Sequence, residues 1–168
     1  MRRRNLSQPP VGAPEETVWF GGPVDRFKIT LRIASEEFDP DEICALLGCS
    51  PTKARKKGSP VNDSPGAAML ATKSRWSLSI DSDLCSDGDV EDGIKLLLAR
   101  FPANPELWSS LSKVCEMDIF CGIFLESGNR GFGLSAEVCA MLSQRHLSIG
   151  FDVYFDPSKE LPETTSDP

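Results

Sequence analysis

Apolar and polar residues change period along the chain, from two to about 3.6 and back, and the changes mark out its elements. Phe27, Ile29, Leu31 and Ile33 alternate with Lys28, Thr30, Arg32 and Ala34, which predicts a strand with one buried face. In the following "FDPDEICALLG", Asp39 suits the N-cap, Pro40 the first helical position, and Glu42 can reach back to the cap amide. Phe38 and Ile43 stand where a hydrophobic staple belongs. Ile43, Leu46 and Leu47 form the apolar stripe, and Gly48 can take the left-handed conformation that ends a helix. Residues 49–73 are polar, with Pro51, Pro60, Pro65, Gly58 and Gly66, and read as a long mobile loop.

Trp76, Leu78 and Ile80 in "RWSLSI" predict a second strand. A helix opens at Asp89, with Val90, Ile94, Leu97, Leu98 and Phe101 on one face. Another follows Asn104 and Pro105, burying Leu107, Trp108 and Leu111. "MDIFCGIFLE" (117–126) is apolar on both faces, as a central strand would be. The Gly-rich "SGNRGFG" leads into a helix capped by Ser135 with Val138, Met141 and Leu142 as its stripe. Finally Leu147, Ile149, Phe151, Val153 and Phe155 alternate with Ser148, Gly150, Asp152 and Tyr154 as a last strand.

"EICALL" (42–47) returns almost unchanged as "EVCAML" (137–142), each between two predicted strands and with the same stripe spacing. Glu42 and Glu137 fall in first turns, where a carboxylate favours the helix dipole. The repetition reads as packing, from two strand–helix–strand units, the first of them returning through "RWSLSI". The expected fold is α+β, a ferredoxin-like two-layer sandwich. It places both units on one mainly antiparallel four-stranded sheet with the helices on one face.

Length and composition narrow the class. A chain of 168 residues, 40% hydrophobic and 26% charged, is ordinary for a globular domain, and its core needs no disulfide or metal staple. Residues 1–26 are rich in Pro, Gly and polar side chains apart from the island Val18-Trp19-Phe20. They read as a flexible arm that docks, if anywhere, through that island. Residues 157–168 read as a disordered tail, leaving a single domain at 27–156. The net charge of −7 makes nucleic acid and anionic membranes improbable partners. With no apolar stretch of spanning length and no secretory signal, the expected location is cytoplasmic. There the six cysteines should be thiols, with Cys44, Cys121 and Cys139 as small buried apolar residues. No CxxC pair occurs and His146 is the one histidine, so zinc finds no ligand set and no cofactor is called for.

The succession "LRIASEEFDPDEICALLGCSPT", "RWSLSI", "GFGLSAEVCAML" and "IGFDVYF" resembles the bacterial family known as domain of unknown function 4279, over roughly residues 28–156. The resemblance implies a small standalone bacterial domain and supplies no activity, so no catalytic residue carries over.

The candidate sites are therefore read from the residues themselves. "DSDLCSDGDVEDG" (81–93) fails as a calcium loop, because Cys85 and Ile94 stand at obligatory ligand positions. An acid-rich helix start capped by Asp89 fits better. "SGNRGFGLS" lacks both the dinucleotide glycine order and the Walker lysine. His146 at a helix end favours the dipole over general-base work, and no nucleophile elbow, HExxH or carboxylate pair appears. Strand parity is more informative. Arg32, Phe120, Phe124, Glu126, Asp152 and Tyr154 should point away from the helices, giving aromatics ringed by charge on an open sheet. The island at Trp19-Phe20 is a candidate cover for that face. The favoured expectation is a non-enzymatic interaction module, antitoxin-like or immunity-type, that binds a protein partner through this face. The alternative is an anionic small-molecule or nucleotide binder or enzyme, using the Gly-rich turn with Lys53, Arg55, Lys56, Lys57 and Arg130.

Overall fold

The structure, a computed structural model, describes residues 24–61, 69–84, 89–126 and 130–155. Strand β1 (Arg26–Ser35) leads to helix α1 (Pro40–Leu47), a short strand β2 (Lys53–Arg55) and strand β3 (Ser74–Asp81). A 3-10 turn at Ser82–Leu84 precedes helices α2 (Val90–Leu98) and α3 (Pro105–Leu111). Strand β4 (Cys115–Leu125), helix α4 (Ala136–Gln144) and strand β5 (Ser148–Phe155) complete the domain. The arm island Trp19-Phe20, the tail from 157 and residues 85–88 of the stretch weighed as a calcium loop lie outside the described residues.

Helix starts follow the local chemistry. Asp39 N–H donates to the Glu42 carboxylate at 2.7 Å, and Gly48 closes α1 at φ +71° with its N–H on Cys44 O. The Asp89 carboxylate accepts from the amides of Glu91 and Asp92, Asn104 accepts from Glu106 N–H, and Ser135 accepts from Val138 N–H.

The four-stranded, mainly antiparallel ferredoxin-like sheet is overturned. Five strands pair in the order β2-β3-β1-β4-β5, antiparallel except for the parallel pair β4–β5, so the sheet is mixed. The missing strand is β2, inside the stretch read as a polar loop. All three of its residues are exposed, so it carries no buried periodicity and exists through backbone pairing with Arg75–Ser77. Its direction also corrects the repeat. β2 and β1 are both antiparallel to β3, hence parallel to each other, so α1 connects two parallel strands with β3 between them. Helix α4 likewise connects parallel strands, β4 and β5, but as immediate neighbours. The first unit therefore returns through β2 rather than β3.

One sheet face is sealed by helices. Phe27, Ile29, Leu31 and Ile33 of β1 are buried, beside Trp76, Leu78 and Ile80 of β3 and Ile119, Cys121 and Ile123 of β4. Ile43 and Leu47 of α1, with Ile94, Leu97 and Leu98 of α2, close over them. Helix α2 approaches β1 through Gly93. A Cβ placed there would lie 2.6 Å from Ile29 Cδ1 and 2.7 Å from the Phe27 ring. Gly93→Ala is thus expected to destabilise by about 1–2 kcal/mol net, since overpacking outweighs alanine's helix preference. Urea unfolding measures this, and a gain in stability would show that the helix can lift without penalty.

The helix layer stops short of β5. Phe151, Val153 and Phe155 share the helix-side register with Cys121, Ile123 and Leu125, yet they are 39, 54 and 44% exposed. Their expected burial holds only at the start of the strand, where Leu147 is buried. Cys139, expected inside, is exposed on the outer side of α4, whereas Cys121 is fully buried and its thiol is pushed up to about 12 by burial. Cys44 is half-buried and its Sγ receives the Trp76 indole N–H at 3.4 Å.

Candidate functional site

The second face of the sheet carries no helix among the described residues. The register places Arg26, Phe124 and Tyr154 side by side across β1, β4 and β5, then Thr30 and Phe120, then Arg32 and Asp118. Period-two alternation brings these residues to one side, because every inward neighbour is apolar. The Phe124 and Tyr154 rings stack at 5.0 Å and 12°, and the Arg26 guanidinium lies 5.0 Å over Phe124. Arg32 sits 4.5 Å over Phe120 while its guanidinium grips the Asp118 carboxylate with two nitrogens. That bidentate contact holds Arg32 charged and raises its already high pKa; partial burial opposes the effect. The Tyr154 phenol donates to Asp152, which raises the phenol's pKa. Lys28 reaches Asp81 at 3.3 Å. The aromatic groups are thus held in place by cation–π and ring contacts before any partner arrives.

At the β3 side of this face lies a shallow depression of about 470 Å³, lined by Arg32, Arg75, Ser77, Glu116, Asp118 and Ser148. Arg55 stands directly across from Arg75, a like-charge pair that weakens the sheet locally. Lys53, Arg55 and Arg75 have no ion-pair partner among the described residues, so this corner of the face is open to a carboxylate from outside.

Of the six face residues expected from parity, Arg32, Phe120, Phe124, Asp152 and Tyr154 share the open side. Glu126 lies just beyond β4, and its N–H donates to Asp25 at 2.8 Å. Parity missed Arg26 and Arg75. Each lies one residue outside or at the end of a predicted strand, and extending the alternation by one step would have found both.

The alternative anion-binding set is not assembled. Lys53, Arg55, Lys56 and Lys57 flank β2 at one edge of the sheet. Arg130 follows β4 and pairs with Asp25 at 3.3 Å, on the far side of β3 and β1. Burial alone would raise the Asp25 pKa, but the Glu126 amide and Arg130 outweigh it and hold the carboxyl below its usual range. Lys56 pairs with Asp39, and Lys57 donates to Glu36 O at 3.3 Å and lies 3.8 Å from the Glu36 carboxylate, so both have acidic partners within the domain. The N-terminus of α4, where a phosphate would sit, receives an internal anion instead. The Glu91 carboxylate accepts Ser135 N–H at 2.7 Å and Ser135 Oγ–H at 3.0 Å. Among the described residues no group of three or more His, Cys, Asp or Glu could hold a metal, and no helix is long and apolar enough to cross a membrane.

These features define a two-layer α+β domain with one face closed by helices and the other presenting ordered aromatic and charged side chains. The family model for a domain of unknown function, DUF4279, matches residues 25–156, and the chain belongs to that family. Comparison with curated proteins and with solved structures finds no match.

Proposed function

We propose that the domain is a non-catalytic binding module whose open sheet face receives a protein partner. The observation that carries this reading is the stacked Phe124–Tyr154 pair, with Arg26 over Phe124 and Arg32 over Phe120, on a face that carries no helix among the described residues. Interfaces concentrate their energy in such aromatic and arginine anchors, ringed by polar groups. Here Asp118, Asp152 and Lys28 supply the ring. An antitoxin-like or immunity-type role, in which the face masks another protein's surface, is the form of this function that a small domain with such a face fits.

The test is capture of a partner from extracts of the native host with the full chain immobilised, read by mass spectrometry. Phe124→Asp and Tyr154→Ala change half-buried or exposed side chains, so the fold should persist by circular dichroism. Each should weaken capture by about 30-fold, the loss typical of an anchor residue. A partner retained equally by wild type and both variants would place binding elsewhere.

A further inference from the structure

The two edges of the sheet are protected very differently. Edge strand β2 has three residues, two of them Lys53 and Arg55, and is followed by Lys56 and Lys57. Short length and positive charge are the devices by which natural sheets discourage edge-to-edge pairing. Edge strand β5 has neither. It runs for eight residues, contains no proline, lysine or arginine, and carries one carboxylate, Asp152. It pairs with β4 on one side, and no strand lies on its other side among the described residues. Beside that free edge, Phe132 (41% exposed) packs its ring 4.9 Å from the ring of Phe151, and Val153 and Phe155 continue the apolar row.

We infer that β5 is the contact strand of a two-fold homodimer, in which a second copy pairs antiparallel with it and joins the two sheets into one. The segment that fits must offer backbone groups along an extended strand and apolar side chains at alternate positions. β5 itself has that pattern. Symmetry then limits the register. A two-fold axis perpendicular to the sheet keeps like faces together, so a residue must lie on the axis opposite its own copy. Asp152 on the axis sets two carboxylates against each other, which is unfavourable. Val153 on the axis aligns only Phe151 to Phe155. Phe151 on the axis aligns Ser148 to Tyr154, placing Ile149 opposite Val153, Gly150 opposite Asp152 and Ser148 opposite Tyr154. It also gathers Phe132 and Phe151 of both copies into one cluster.

From the exposures above, Phe132, Phe151 and Val153 can remove at most about 500 Å² across both copies. With the paired backbone the contact approaches the ~1,000 Å² of a specific interface. Both open faces then lie on the same side of a continuous ten-strand sheet, with a Phe124–Tyr154 stack on each side of the axis. This inference stands apart from the partner reading, since it uses β5's edge and opposite face.

Sedimentation equilibrium of the full chain should give twice the 18.4 kDa chain mass at about 100 μM, falling towards the monomer on dilution. Phe151→Asp and Val153→Lys, both at exposed positions, should keep the circular dichroism spectrum and weaken association at least ~10-fold. Phe151→Cys should form a disulfide with its own counterpart on mild oxidation, located by peptide mapping. A monomer at about 100 μM, or a dimer unaffected in both variants, overturns the proposal.

Discussion

Trp108→Ala is expected to lower the stability of the domain by about 3–5 kcal/mol. Few single changes cost more, because several interactions converge on this side chain. Trp108 is fully buried and its indole N–H donates to Pro102 O at 2.8 Å, pinning the start of α3 to the loop before it. Its ring meets Phe101 edge-on at 6.1 Å, and Phe101 meets Trp76 at 6.2 Å, so three aromatics link α3 through the loop to β3. The Arg145 guanidinium lies 5.9 Å over the Trp108 ring. Arg145 is itself buried. Its Nη1 donates to Met141 O, its Nε has no acceptor among the described residues, and burial lowers its pKa. Removing the indole therefore leaves a large cavity and strips a buried cation of its aromatic partner. Domains of this size are stable by about 5–15 kcal/mol, so the change removes from about a fifth of that stability to nearly all of it. Trp108→Phe keeps a ring under Arg145 and loses the hydrogen bond, and should cost about half as much. Urea midpoints for the two variants check the ordering. Equal loss in both would assign the effect to the indole N–H alone.

How much of this was legible in the sequence depends on where each element's energy comes from. β1, α2, α3 and β3 are stabilised by burying alternating or striped apolar residues, and Phe27, Ile94, Trp108 and Leu78 announced them. The caps at Asp89, Asn104 and Ser135 were equally plain, because each is a local side-chain-to-amide bond. β2 was not legible. Lys53, Ala54 and Arg55 bury nothing, and only the neighbouring backbone of β3 tells them to extend. Missing β2 in turn assigned α1's return strand to β3 and produced the wrong sheet. The open face was readable by parity, since Arg32, Phe120 and Tyr154 alternate with apolar neighbours. Its geometry was not, because parity does not say that Arg26 covers Phe124. Nor does parity reveal that the helix layer ends before Phe151, which depends on where α4 lies rather than on the pattern of β5.

Glu91→Ala should be the second most damaging change, at about 2–4 kcal/mol. Asp89, Glu91 and Asp92 make the start of α2 acidic, yet Glu91 is 2% exposed. The sign of this was in the spacing, since 91 lies three before Ile94 and seven before Leu98, on the buried stripe. An isolated buried carboxylate would be prohibitively costly, and this one is compensated from several sides. It accepts from Ser135 N–H and Oγ–H at the first turn of α4, and Lys95 Nζ approaches to 3.0 Å. It also lies in the first turn of its own helix, so two helix N-termini favour its charge. Alanine removes the anion and leaves the Ser135 amide without this acceptor. Lys95 is partly exposed and keeps Glu137 at 3.1 Å, so it suffers less. The damage should therefore concentrate on α4. Because α4 delivers the chain into β5, hydrogen exchange in Glu91→Ala should accelerate in 136–155 before it does in β1 or β3. Glu91→Gln, which keeps the shape and loses the charge, should lie between wild type and alanine. Stability unchanged within about 0.5 kcal/mol in both variants would mean that the network only balances the cost of burying its own charge.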